Sequence, residues 1–224
     1  MNFESLAEMR AVLEDAVGDI DPESSKGKKR LKIIEAAVGL FVAHGYRKTS
    51  IDDIARAAGI AKGTVYLYFT TKLDVLYVAC AYEKLRLFAL LDGFEAPTLD
   101  ARERLRQWVR ASILMVAASP LLTRASAGDP DMLAALVEAM PERVGQAMAD
   151  ANSFMGHLLD AAVAPAQWTD EERHARSVVL QALTRFAPLV RDDPLRQGLS
   201  IEQFAETLAD VFVDGMRVPD RARA

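Results

Sequence analysis

Residues 50–72 hold two short helical patterns separated by a single glycine, and this break constrains the fold more than any other stretch of the chain. Ile54, Ala55 and Ala58 fall on one face ahead of Gly59. Ile60 then restarts the apolar pattern, and a second segment carries Lys62, Thr64 and Tyr66. Glycine takes the positive φ that such a turn needs without the steric cost other residues meet. A helix set across another after a brief glycine turn has the shape that enters a DNA major groove.

The remaining sequence reads as helix almost throughout. There is no sustained alternation with a period of two, and no Asn-Gly or Asp-Gly turn joins two β-branched runs. Phe3, Leu6, Leu13, Val17 and Ile20 form an apolar stripe over residues 1–20, interrupted by Arg10, and residues 21–27 read as a linker. A helix is predicted from about Lys28 to His44, with Leu31, Ile34, Val38 and Phe41 inward and Gly45 as its stop. Ser50 with Asp53, and Thr71 with Asp74, have capping-box spacing. The glycine turn is followed by a helix over about Ala61–Phe69, and Thr71 opens a long one ending near Asp92-Gly93. Further helices are expected over Asp100–Ala118, in a short piece within 120–130, and over 131–162 with a break near Pro141. Thr169 with Glu172 opens a helix to about Val190, and Ser200 with Gln203 opens the last, ending near Met216.

Charge is distributed unevenly. The chain of 224 residues has a net charge of −5, which argues against a general coat for nucleic acid. Residues 1–23 carry seven acidic side chains against Arg10 alone, whereas residues 24–77 carry ten basic side chains against four acidic ones. The one basic region is therefore the one that holds the glycine-broken helix pair. A local basic patch on an acidic protein is a usable phosphate footprint.

Residues 28–76 resemble the DNA-binding domain of the TetR family of bacterial repressors. The likeness is carried by Ile33-Ile34-Glu35-Ala36-Ala37, Leu40-Phe41 and His44-Gly45-Tyr46, then by Thr49-Ser50-Ile51-Asp52-Asp53-Ile54-Ala55 and Ala58-Gly59-Ile60. It continues through Lys62-Gly63-Thr64-Val65-Tyr66, Tyr68-Phe69 and Lys72. The resemblance covers about a fifth of the chain and implies an all-α fold. An N-terminal three-helix helix-turn-helix DNA-binding domain would be followed by a divergent helical ligand-binding and dimerisation domain. On that basis residues 1–25 are an extension of amphipathic helix plus linker and 26–72 the DNA-binding domain. Residues 73–218 are the ligand-binding and dimerisation domain, and 219–224 a tail. Ala61 stands where Ser is common in the family, and Leu67 where a polar or aromatic group is frequent.

Candidate DNA contacts follow. Lys62, Gly63 and Thr64 open the reading helix, with Lys62 directed to a guanine edge or a phosphate. Tyr66 and Tyr68 offer hydroxyls to phosphate, one of them alternatively packing beneath the first helix of the domain. Leu67 suits a thymine methyl. Lys72, Arg47, Lys48, Thr49 and Ser50 read as phosphate contacts, which set register and carry little sequence information. Lys28, with Lys26, Lys29 and Arg30, reads either as a minor-groove arm or as a solvated run.

Beyond residue 72 the assignments are broader. The resemblance implies a central cavity, around which Trp108, Ser112, Met115, Met148, Asn152, Met155, Gln181 and Phe186 are candidates. They suit a small hydrophobic or amphipathic effector, with plain core packing as the alternative for each. The helix before Val190 is apolar over a wide arc, and such a helix buries two faces. One face can meet a second subunit, through Val179, Leu183 and Phe186 together with Phe204, Leu208 and Phe212 of the last helix. The alternative is a central helix within a monomer.

Other classes find little footing. His44, His157 and His174 lie far apart with no metal spacing, and Lys62-Gly63-Thr64 lacks the upstream glycine of a phosphate loop. Cys80 is a lone cysteine, which excludes an intramolecular disulfide and a thiolate zinc cluster. No enzyme, cofactor or metal site is expected. No apolar run reaches membrane length and the N-terminus lacks a signal-peptide pattern, so a cytoplasmic protein is expected. The sequence thus predicts a ligand-responsive homodimeric regulator on operator DNA, a repressor rather than an activator. The rival is an interaction module of the same fold acting through a protein partner, which the acidic Phe3–Ile20 helix could dock, unless that helix covers the protein's own second domain.

Overall fold

The computed structural model describes residues 5–96, 98–125, 129–162, 168–186, 191 and 193–216. Among these the structure is helical without strands: α1 Leu6–Val17, α2 Ser25–His44, α3 Ile51–Ala58, α4 Lys62–Tyr66, α5 Lys72–Arg86 and α6 Ala101–Ala118. There follow α7 Pro120–Thr123, α8 Pro130–Ala139, α9 Pro141–Ala162, α10 Asp170–Phe186, α11 Asp193–Arg196 and α12 Ile201–Gly215. A 3₁₀ turn, Leu87–Leu91, follows α5. The chain divides into two compact units, one formed by Ala7–Phe88 and Ser119–Ala147, the other by Met1–Leu6, Ala89–Ala118 and Met148–Ala224.

In the first unit, α2, α3 and α5 surround a core of Ile33, Ile34, Phe41, Ile54 and Leu76, all fully buried. Each side chain of this size contributes roughly 1.5–3 kcal/mol when taken out of water. The helix ends are set by local chemistry. Ser24 caps α2 by accepting from the Gly27 amide, so the helix starts at Ser25 rather than near Lys28. Both predicted capping boxes, Ser50 with Asp53 and Thr71 with Asp74, are formed. Gly59 ends α3 in the left-handed region, at φ 68°.

Two helices are shorter than their sequence pattern. The helix expected over Ala61–Phe69 stops at Tyr66, where the Leu67 and Tyr68 amides turn to the carbonyls three residues back, Thr64 and Val65. The long helix opened by Thr71 ends at Arg86 and tightens into the 3₁₀ turn, a common form of helix end, which buries Leu91.

The N-terminal extension is part of this unit. Val17 of α1 is 1% exposed and belongs to the same core, with Leu13, Ala16 and Ile20 packed against it. Arg30 ties the extension down: its Nε donates to the Val17 carbonyl at 2.6 Å and its Nη1 to the Tyr68 carbonyl at 3.3 Å. Its guanidinium also lies 4.6 Å from the centre of the Phe69 ring. The linker turns back so closely that a Cβ at Gly27 would stand 2.4 Å from the Asp21 carbonyl oxygen. The expected basic arm is therefore corrected: Lys26, Lys28, Lys29 and Arg30 lie on α2, and Arg30 is turned inward. Of the acidic helix's apolar stripe, Leu13, Val17 and Ile20 pack on this unit, and Phe3 lies outside the described residues.

Lower in the same unit, Glu83 is a buried carboxylate on α5. It accepts from the Ser119 hydroxyl at 2.7 Å and from Arg86 at 2.8 Å. Ser119 in turn caps α7 by accepting from the Leu122 amide. One buried charge thereby fixes the start of α7 against α5.

The second unit is organised by α6 and α12. Arg102, Arg106 and Arg110 pair with Asp214, Asp210 and Glu206 at 3.7, 2.6 and 2.8 Å. Both series advance in steps of four residues but in opposite order, so the ladder sets the helices antiparallel. Between them α12 buries the small residues Ala205 and Ala209 with Val213. Phe204, Leu208 and Phe212 stay half-buried. The expected stripe of large residues on α12 thus lies beside its most buried face, which is built from small ones.

Arg30→Ala is expected to lower stability by roughly 1–3 kcal/mol, the cost of leaving part-buried carbonyls unpaired. Hydrogen exchange should show the amides of α1 losing protection before those of α2. Arg30→Lys should restore it only in part, since a single nitrogen replaces the separate Nε and Nη1 that reach the two carbonyls. Unchanged exchange in α1 would count against the staple.

Candidate nucleic-acid interface

Helix α4 is a five-residue helix with one anchored side. Val65 is fully buried and Phe69, just beyond the helix, is 3% exposed. The opposite side carries Lys62, Gly63, Tyr66 and Leu67, with Tyr66 50% and Leu67 82% exposed. An outward leucine at that exposure has no role in the core of its own unit. A Cβ built at Gly63 would meet nothing within 4 Å, so internal packing does not require glycine there. Its effect is to present bare backbone outward, where another molecule can come close. Thr64 and Tyr68 are half-buried.

Lys62 does not stand alone. Its Nζ donates to Asp52 Oδ2 at 2.8 Å, and that hydrogen bond is the main cause that raises the Lys62 pKa. The pair links the start of α4 to the start of α3, and only weakly, since both side chains are about half exposed. There the Ser50 hydroxyl donates to Asp53 Oδ2 at 2.6 Å and accepts from the Asp53 amide at 3.1 Å. The hydrogen bonds from Ser50 hold the Asp53 carboxyl below its usual range. The box is therefore intact above the ordinary aspartate range and is lost only as pH falls through that lowered value.

The loop from Gly45 to Ser50 presents the next group of candidates. Arg47 and Lys48 are exposed. Arg47 lies 3.4 Å from Asp131, with its side chain 79% exposed, and a pair in that setting holds weakly. Thr49 is a correction to the sequence reading. It is 2% exposed and its hydroxyl donates to the Gly45 carbonyl at 2.8 Å, so it shapes the loop rather than meeting phosphate.

Lys72 also has an inward task. Its Nζ donates to the carbonyls of Tyr46 at 2.8 Å and Thr49 at 2.9 Å, and lies 4.1 Å from the centre of the Tyr46 ring. Partial burial lowers its pKa. An ammonium has three donors, so one remains for an outside acceptor.

Beside this face, α2 and α3 line an open groove of about 470 Å³ whose wall includes Leu40, His44, Lys48, Asp53 and Arg56. Lys28 is exposed on the first turn of α2. Cys80 is packed against the core, where burial pushes its thiol up to about 11.

The candidates beyond residue 72 are placed unevenly. Trp108 forms an aromatic cluster with Phe154 at 4.7 Å and Phe94 at 6.1 Å between ring centres. Its indole Nε1 is buried with no hydrogen-bond partner among the described residues. Met155 is 4% exposed, and Ser112 and Met115 are half-buried. Phe94 and Phe154 escaped the sequence reading because an isolated phenylalanine in a helical pattern looks like any core residue. The side chains of Met148, Asn152, Gln181, Leu183 and Phe186 lie outside the described residues, as does the 219–224 tail. Val179 is 53% exposed on α10.

Residues 33–77 match the family described as bacterial regulatory proteins, tetR family. A putative mycofactocin biosynthesis transcriptional regulator of Mycobacterium tuberculosis is 38% identical over 96 residues, which cover 41% of this chain and 46% of that protein. The chain thus spans less than half the length of that relative. The fatty acid degradation regulator FadR from Bacillus halodurans has a similar structure, with a TM-score of 0.64 at 20% identity over 88% of this chain and 100% of that one. A transcriptional regulator FadR from Bacillus subtilis, solved in complex with stearoyl-CoA, gives a TM-score of 0.62 at 17% identity over 84% and 99%. At such identities the structural likeness speaks to the fold alone. Taken with the motif string and the glycine-broken helix pair, the match identifies residues 33–77 as a domain of the tetR family of bacterial regulatory proteins.

Proposed function

We propose that the protein is a homodimeric transcriptional repressor that binds operator DNA and is released from it by a small hydrophobic or amphipathic effector. The observation that carries the reading is the outward face of α4. Lys62, Gly63, Tyr66 and Leu67 project from a helix pinned by Val65 and Phe69, within the basic part of an otherwise acidic chain. Such a helix seats its first turn on base edges while flanking cations take phosphates. Arg47, Lys48, Ser50, Tyr66, Tyr68, Lys28 and the free donor of Lys72 are the flanking groups. Thr64, half-buried on the same helix, is the remaining contact.

The effector site is placed around Trp108. A buried indole N–H without a partner is costly, and an acceptor on a bound molecule would satisfy it. Phe94, Phe154 and Met155 offer that molecule an apolar wall. The effector acts by binding one of two conformations better, so that the population able to hold DNA falls. Helix α5 is the transmitting element in this reading. Lys72 at its start holds the loop at Tyr46 and Thr49, and past Arg86 the chain continues into the other unit.

Dimerisation is assigned to α10 and α12. Val178 and Val179 are 49% and 53% exposed on α10, Val211 is 65% exposed on α12, and Phe204, Leu208 and Phe212 are half-buried. Leu183 and Phe186 are the further α10 candidates from the sequence, their side chains lying outside the described residues. Large apolar side chains on helix faces that their own unit leaves open are characteristic of surfaces that pair. A cytoplasmic location goes with a regulator of DNA; among the described residues no helix is long and apolar enough to cross a membrane.

Three outcomes are expected. Binding to the duplex upstream of its own gene, followed across a salt series, should exceed binding to random duplex. The logarithm of the affinity should fall steeply with the logarithm of salt, by about 0.9 for each phosphate neutralised; equal affinity for random DNA, or none, would overturn the reading. Long-chain acyl compounds, tested as free acids and as thioesters, should raise the melting temperature and shift tryptophan emission. The emission response should persist in Trp168→Phe and vanish in Trp108→Phe; a response that survives only in the latter would move the site elsewhere. Val179→Glu should give monomers by light scattering, and an unchanged mass would argue against α10 as the interface.

A further inference from the structure

The pair of Asp52 and Lys62 carries an inference beyond DNA binding as such, and it rests on the reading of α4 as the DNA-reading helix. Asp52 lies in the first turn of α3, ten residues before Lys62, and the two side chains are 56% and 52% exposed. Stability does not explain the pair. An exposed ion pair contributes between nothing and about 1 kcal/mol. The capping role at this helix start belongs to Asp53, whose carboxylate holds Ser50. Asp52 is left with one charged partner, the lysine at the opening of the outward face.

A carboxylate in that position changes what the lysine can meet. A lone lysine at the mouth of a groove takes a phosphate oxygen as readily as a base. A phosphate approaching Lys62 here would face the Asp52 charge 2.8 Å away, with no donor to offer it. A base pair does present a donor beside an acceptor in the major groove. In G·C the guanine O6 and the cytosine N4–H₂ are hydrogen-bonded to each other, so they lie about 2.9 Å apart. The Lys62 Nζ and Asp52 Oδ2 atoms are spaced at 2.8 Å. Lys62 can therefore donate to O6 while Asp52 accepts from N4, closing a ring of four hydrogen bonds. T·A offers an acceptor and donor in the same order, O4 then N6. It puts the thymine methyl where guanine has N7. A second N–H of Lys62 gains N7 in the first case and meets the methyl in the second. Ala61 and Gly63, on either side of Lys62, present no bulk to keep the pair from the groove floor.

We propose that Asp52 is a specificity-determining residue, which together with Lys62 reads one G·C base pair in each half-site of the bound DNA. The test uses the full chain and selection of bound duplexes from a randomised library, followed by affinities for the selected site and its variants at each position. The wild type should prefer G·C at one position of each half-site by about tenfold or more, equivalent to 1.4 kcal/mol. Asp52→Ala should reduce that preference to within about threefold and leave preferences at the other positions intact. Lys62→Ala should relax the same position, and the double variant should be no flatter than either single one. Asp52→Ala should also steepen the salt dependence by about one counterion, as Lys62 turns to a phosphate. Two results would overturn the proposal: Asp52→Ala keeping the preference that Lys62→Ala loses, or Asp52→Ala changing affinity equally for all four base pairs. Because Asp52 is exposed, Asp52→Ser serves as a second variant, with the melting temperature as the check on folding. A wild type that selects no sequence at all would instead overturn the DNA-binding reading beneath it.

Discussion

The interaction on which the reading face depends is that of Lys72 with the carbonyls of Tyr46 and Thr49. Those two oxygens belong to the loop between α2 and α3, which has a long turn bond from the Thr49 amide to the Tyr46 carbonyl at 3.4 Å. A charged donor on a carbonyl is stronger than a neutral one, and two of them from one ammonium close the loop like a clasp. The Tyr46 ring beneath the ammonium adds an attraction that partial burial strengthens. With the loop closed, Thr49 turns its hydroxyl to Gly45, Ser50 reaches its capping position, and Arg47 and Lys48 are left outside. The clasp also makes the first turn of α5 and the outward-facing loop parts of one piece. The cation predicted from sequence to hold a phosphate thus has a structural task first, and the phosphate role is left to its third donor.

What was legible in the sequence was what is local. A hydroxyl residue followed three positions later by a carboxylate or amide marks a helix start wherever it occurs. Ser50 with Asp53, Thr71 with Asp74, Thr169 with Glu172 and Ser200 with Gln203 all form the expected bonds. Gly59 was equally plain, because its positive φ is a demand of the backbone alone. Arg30 was not, since nothing in a run of four basic residues says that the last will turn inward to Val17 and Tyr68. The same holds for Glu83 with Ser119, 36 residues apart, and for Asp52 with Lys62. Their meaning lies in a meeting that no period announces.

One distant contact did leave a readable trace. Arginines at 102, 106 and 110, and acids at 206, 210 and 214, each mark one edge of a helix in steps of four. Two complementary series of equal step are the mark of an antiparallel helix pair. The apolar stripe on α12 masks that mark. Large side chains weigh more in such patterns than Ala205 and Ala209, yet small residues let two helix axes approach most closely. The stripe of Phe204, Leu208 and Phe212 stays half-buried in the unit itself, and the area it leaves open gives the dimer reading its physical basis.

Ala61 ties these threads to the reading face. A hydroxyl residue there would cap α4; alanine leaves the helix start without a side-chain bond, a loss worth about 1 kcal/mol in a typical helix. Five residues cannot hold a helix by propensity, so α4 must be fixed from its other end. That end is where Arg30 reaches the Tyr68 carbonyl and covers the Phe69 ring, with Val65 and Phe69 sunk in the core. Arg30 has its second carbonyl on Val17, so the anchor of α4 runs through the N-terminal extension. An extension with a surplus of acidic charge is an odd attachment for a DNA-facing unit if its only effect is electrostatic. It becomes intelligible as the far side of a staple: α1 fills the core edge, positions Arg30, and through it steadies the helix that carries Lys62 and Leu67. The uncapped start of α4 is then free to adjust at the groove while its end stays fixed.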